Sequence, residues 1–133
     1  MMGTITSDDR IAIAELFGRY CHSVDHGDTA GWLDLFTPDG TFEVAGAMRL
    51  EGHEQVGAMP SVVAEHGGGK WRHQITNIVV DEGDDADTAL VTAYGLVTDW
   101  GNEGRPMTFS DYAITLNRTG GVWRIRSLLA TAP

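Results

Sequence analysis

Cysteine occurs once, at Cys21, and lysine once, at Lys70. A single thiol cannot build an intramolecular disulfide framework or a cysteine-rich zinc site, and it suits a reducing compartment. Lys and Arg number 9 against 19 Asp and Glu, a net charge of −10. An acidic chain so poor in cations has no electrostatic footprint for nucleic acid or anionic lipid. No apolar run approaches the ~20 residues of a membrane span. The segment Met1-Met2-Gly3-Thr4 lacks the charged and then apolar pattern of a secretory leader. These absences predict a soluble, cytoplasmic chain with neither nucleic-acid nor membrane partners.

What is present is one domain's worth of sequence, residues 1–133, with 42% hydrophobic residues. No repeat, linker or low-complexity tract divides it. Glycine is abundant, at 17 residues, and follows no period, which points to many tight turns. The first half has helical spacing. Ser7 followed by Asp8-Asp9 is an N-cap signal, and Ile13, Leu16, Phe17, Tyr20, Cys21 and Val24 form a stripe in steps of three and four. Gly27 closes that helix, and Asp28 caps a short second one around Trp32. Thr37-Pro38-Asp39-Gly40 is a turn signal between this helix and short strands at 41–44 and 48–51. A third helix is predicted over about His53 to His66.

The second half reads as a four-stranded antiparallel meander: 71–81, 88–100, 107–117 and 122–130. Glycine-rich breaks separate the strands. Helices first and strands after them make an α+β chain. We expect three N-terminal helices packed on a strongly curved, mostly antiparallel sheet forming a cone with an internal cavity.

Several residues carry a family resemblance. They are Arg19-Tyr20, Val24-Asp25-His26-Gly27-Asp28, Trp32, Phe36 to Gly40 and Gly52. His73 with Asn77, then Tyr112, then Gly120-Gly121-Val122-Trp123-Arg124-Ile125 complete the set. In this order they resemble the SnoaL-like branch of the nuclear transport factor 2-like superfamily. Within it the pattern looks most like the cofactor-free eliminating enzymes, of the scytalone dehydratase, bile acid 7α-dehydratase and hexachlorocyclohexane dehydrochlorinase kinds.

The resemblance implies a catalytic set of Asp25, His73 and Tyr20, with no metal and no cofactor. It also implies a reversed pair, His22 with Asp99, at the edge of the pocket. Further pocket residues are expected at Val24, Met59, Val63, Asn77 and Tyr112. Chemically, a histidine with an ordinary pKa near ~6.5 suits a base, and a carboxylate on one imidazole nitrogen would fix its tautomer. Tyr20 would donate to a carbonyl or leaving oxygen. Period-2 alternation puts His73 and Asn77 on one strand face. Tyr20 and Asp25 are about 140° apart on an ideal helix, so they share a face only if the helix loosens near His26-Gly27.

Plainer readings stand beside these. Tyr20 could be a core tyrosine, and Asp25 or Asp28 a helix cap. His22 and His26 have a metal-ligand spacing without the remaining ligands. The acidic stretch Asp81–Asp87 lacks the order of a calcium loop and suits a solvated turn.

The functional expectation is a cofactor-independent lyase or isomerase, dehydratase-like, acting on a hydrophobic small molecule. A polyketide-type cyclase using the same dyad is a close variant. A non-catalytic subunit or small-molecule binding module, as in ring-hydroxylating dioxygenases, is the alternative. Association into a homo-oligomer, trimer or dimer, is expected on either reading.

Overall fold

The computed structural model describes residues 5–133. The expectation about a leader at Met1–Thr4 lies outside the described residues. Helix α1 spans Ser7–Asp25 and buries Ile13, Leu16, Phe17, Tyr20 and Val24. Its N-cap is Thr6, one residue before the expected Ser7. The Thr6 hydroxyl accepts from the Asp9 backbone N–H at 3.0 Å, and the Asp9 carboxylate accepts from the Thr6 N–H at 2.9 Å. Two otherwise unpaired donors are thus satisfied reciprocally.

Helix α2, Thr29–Leu33, starts at Asp28, whose carboxylate accepts from Gly31 N–H. It sets Trp32 in the core, where the indole N–H donates to the Val56 carbonyl at 2.9 Å. The predicted third helix is two short ones, α3 at Gly52–Val56 and α4 at Met59–Gly67. Pro60 is the reason. It lies in the first turn of α4, where a missing N–H costs nothing, but its ring would clash inside a continuous helix.

The strands are β1 (Phe36–Val44), β2 (Met48–Glu51), β3 (Trp71–Glu82), β4 (Thr88–Asp99), β5 (Arg105–Thr119) and β6 (Val122–Thr131). They form one six-stranded sheet in the order β2-β1-β6-β5-β4-β3. The antiparallel meander from β3 to β6 follows the predicted order. Strand β1 starts earlier than expected. It absorbs the Thr37–Gly40 turn signal as an irregularity, seen as a register shift against β6 between Phe36 and Thr41.

The expected cone is corrected by this topology. The sheet is an open, mixed one, neither strongly curved nor closed. Strand β1 joins the meander parallel to β6 and carries β2 outward, so β2 and β3 end up as opposite edges with no pairing between them. The helices cover the inner face instead, with α1 packed along β3.

Inner-face positions Ala89, Val91, Ala93 and Val97 of β4 are buried, as are Ile114 and Leu116 of β5 and Ile125 and Leu128 of β6. The outward face exposes Val79, Leu90, Tyr94, Phe109 and Leu129. Among the described residues no helix is long and apolar enough to cross a membrane.

Candidate active site

Asp25 is the last residue of α1 and is buried. Its carboxylate meets His73 on the adjacent β3 twice. Oδ2 accepts from the His73 backbone N–H at 2.7 Å, and Oδ1 lies 2.6 Å from Nδ1. A carboxylate only accepts, so Nδ1 carries the proton in this contact and Nε2 is left without a protein partner among the described contacts. The Asp25 side chain is 3% exposed and that of His73 12%, so little water competes for the contact. The main-chain bond also fixes where the carboxylate sits relative to the strand.

His73 lines a cavity of about 370 Å³ between the helices and the inner sheet face. Tyr20 and Val24 enter it from α1, Met59 and Val63 from α4, and Tyr112 from β5. These expected pocket residues all meet there. Tyr20 packs against Trp32 with ring centroids 4.7 Å apart, and lies edge-on to His73 at 6.5 Å. Helix α1 stays regular through Asp25, so no loosening occurs. The 140° between Tyr20 and Asp25 is spanned by the imidazole: Asp25 holds its Nδ1 side and Tyr20 stands beside the ring.

Both phenols in the cavity remain protonated. Burial pushes Tyr20 well above its ordinary 10.0, and burial also pushes Tyr112 up to about 12. A buried neutral phenol offers a hydrogen-bond donor to developing negative charge.

Three expected residues fall elsewhere. Asn77 does not share the face of His73. Two residues, Asn77 and Ile78, stand between register pairs Thr76↔Tyr94 and Val79↔Thr92, where only Ala93 lies opposite. This bulge reverses the alternation and turns Asn77 outward, with φ of 55°. Asp99 caps the single 3-10 turn Trp100–Asn102 by accepting from Gly101 N–H at 2.9 Å. His22 is exposed and stacks on His26 at 6.0 Å. The reversed His22–Asp99 pair is therefore absent among the described contacts.

Sequence reasoning missed His66 and Trp71, which also line the cavity. His66 had a signal, since it continues the helical stripe of Met59, Val62 and Val63. Its Nδ1 donates to the Val62 carbonyl at 2.8 Å. No sequence spacing marked Trp71, the first residue of β3.

The site is thus a hydrogen-bonded His73–Asp25 pair beside an aromatic cluster, opening on a mostly apolar cavity. Comparison with known proteins shows the family and the fold. A family model described as "SnoaL-like domain" matches residues 6–128. The structure of Aln2 from a Streptomyces species is similar at 26% identity and a TM-score of 0.84, covering 96% of this chain and 92% of that one. A candidate aromatic ring hydroxylase from Novosphingobium aromaticivorans is 28% identical, with a TM-score of 0.79 and coverage of 97% and 92%. A protein of unknown function with a cystatin-like fold from Nostoc punctiforme has a TM-score of 0.86 at 19% identity, with coverage of 100% and 96%, which shows the fold alone. No curated protein matches the chain significantly.

Proposed function

The chain belongs to the SnoaL-like domain family, and on that premise we propose that it is a cofactor-independent lyase or isomerase moving a proton on a hydrophobic small molecule. The observation that carries the reading is the Asp25-held His73, whose side chain lines the cavity. His73 Nε2 takes a proton from a carbon next to a carbonyl. The C–H electron pair becomes a C=C bond, and the leaving group departs with its own pair. Asp25 stabilises the imidazolium so formed. Tyr20 donates to the carbonyl or leaving oxygen. The imidazolium returns its proton to the leaving group, or to another carbon in an isomerisation.

The apolar walls favour a ligand that is apolar over most of its body. An enolate generated by the same dyad could attack a second carbonyl, which is the cyclase variant. An open cavity holding His73 weighs against a purely structural subunit, whose interior has no reason to stay hollow. Association of copies belongs to the same proposal, supported by the apolar outward sheet face.

Proton abstraction can be tested before the substrate is known. The probe is 2-tetralone in D₂O, with exchange of its α-protons followed by NMR. The wild-type chain should accelerate exchange, and His73→Ala and Asp25→Asn should each lose about 10²- to 10⁴-fold. Undiminished exchange by both folded variants would overturn the mechanism.

A further inference from the structure

Gly67 has no backbone reason to be glycine. It is the last residue of α4. Unlike Gly68 and Gly69, at φ 58° and 76°, it does not sit at positive φ. Glycine weakens a helix at such a position, so something else requires it. A Cβ built there would stand 2.4 Å from Cγ of Trp71, and 2.7 and 2.8 Å from Cδ2 and Cδ1. These atoms are the rigid root of the indole, and no real Cβ comes so close to them. The three distances fit a point above the ring plane at Cγ, not one in the plane. Gly67 is therefore the seat on which one face of the Trp71 indole lies.

The other face is left for a ligand. Trp71 is only half-buried and its ring lines the cavity. His66, the residue before Gly67, lines it too, with ring centroids 6.4 Å apart and a tilt of 31°. The 2.8 Å hydrogen bond from His66 Nδ1 to the Val62 carbonyl holds that second ring in place. Met107, exposed on β5, lines the same opening, and its soft sulfur suits contact with aromatic rings. These exposed and half-buried residues mark the mouth, whereas the buried Tyr20, Val24 and Trp32 mark the floor. Trp71 is two residues from His73 on β3, about 6.6–6.8 Å along the strand. A ring stacked on Trp71 thus holds its neighbouring carbons within a side chain's reach of His73.

We propose that Trp71, seated by Gly67, is a specificity-determining platform at the cavity mouth. It selects ligands that carry an unsaturated ring beside the reacting carbon over saturated ones of the same skeleton. A flat π-system stacks on the indole and gains more than its buried area supplies, which a puckered saturated ring does not. This rests on the reading of the cavity as the substrate site of His73, and it concerns binding, not proton transfer.

The test compares 2-tetralone, whose reacting carbons adjoin a benzene ring, with trans-2-decalone, the same bicyclic ketone fully saturated. Calorimetric titration reads both affinities. Trp71→Leu should weaken 2-tetralone by about two- to tenfold relative to trans-2-decalone, and Trp71→Phe should recover most of that loss. Gly67→Ala should bring the same selective loss with the indole still present, by lifting it off its seat. A folded Trp71→Leu chain that loses both ligands equally, or neither, overturns the proposal, and an unchanged ratio in Gly67→Ala overturns the seat. The indole N–H resonance of Trp71, identified by its absence in Trp71→Phe, should move more with 2-tetralone than with trans-2-decalone. Equal movement, or none, overturns the platform even if Trp71→Leu does not fold. The dyad is judged separately: proton exchange that survives His73→Ala removes the base and leaves the binding ratio intact, whereas a lost ratio with exchange still dependent on His73 removes the platform alone.

Discussion

Cys21 shows how strongly the site shapes its neighbours. It is the residue after Tyr20 on α1 and faces the buried end of the dyad. Burial first, and the Asp25 carboxylate second, push its thiol from 9.0 up to about 12. The thiolate is the reactive form, so at neutral pH its population is about a thousandfold below that of an ordinary thiol. Iodoacetamide should therefore alkylate the native chain slowly and the urea-unfolded chain at the rate of a model thiol. Mass spectrometry of timed samples reads the difference, and rapid native labelling would show that the Asp25 end of α1 is open to water. At this scale the sequence was legible where the chemistry rests on local identity. Asp25, His73 and Tyr20 converge as the residue types and the resemblance suggested. His22 and Asp99 did not, because each has a local use that spacing cannot reveal: a stacked surface pair and a cap on a 3-10 turn.

At the scale of elements, the β3 bulge decides which side chains reach the cavity. Before it, His73 points inward; after it, Val80 is buried while Asn77 and Val79 are exposed. An unbroken alternation would have turned Asn77 inward and Val80 out. Asn77 sits at φ 55°, a conformation that asparagine tolerates and branched residues do not. Asn77→Gly should keep stability within about 0.5 kcal/mol, whereas Asn77→Val should cost about 1–2 kcal/mol. Urea unfolding measures both. Equal stability of the valine variant would mean the strand can re-register, at the expense of the inward set. The helices were more legible than the sheet. Their apolar stripes are written in steps of three and four, and only Pro60 needed heavier weight to split α3 from α4. The closure of the sheet was not legible, because it depends on where β1 pairs. No alternation of side chains distinguishes a parallel partner at β6 from a route that would bring the two edges together.

For the whole molecule the acid excess is the dominant electrostatic fact. Five acidic residues lie in the turn region Asp81–Asp87, and among the described residues the ion pairs there reach only Asp87, through Arg118 at 3.2 Å. Arg118 also holds Asp9 at 2.8 Å, so one cation serves two carboxylates. Most of the net −10 is therefore unpaired surface charge repelling itself. Two effects compete as salt is added. Screening weakens the few exposed pairs, each worth about 0–1 kcal/mol, and it also relieves the summed repulsion that disfavours the compact state. With 9 cations against 19 anions the second effect should win. The melting temperature should rise as ionic strength goes from about 0.01 M to 0.15 M, while the Debye length shrinks from about 30 Å to 8 Å. The rise should be steeper at pH 8 than at pH 5, where carboxylates begin to take up protons and the net charge falls. Calorimetry at the two pH values separates this from general salt effects on apolar burial, which do not depend on carboxylate charge. A melting temperature that falls with salt at both would show that the Arg118 and Arg49 pairs outweigh the repulsion across the rest of the surface.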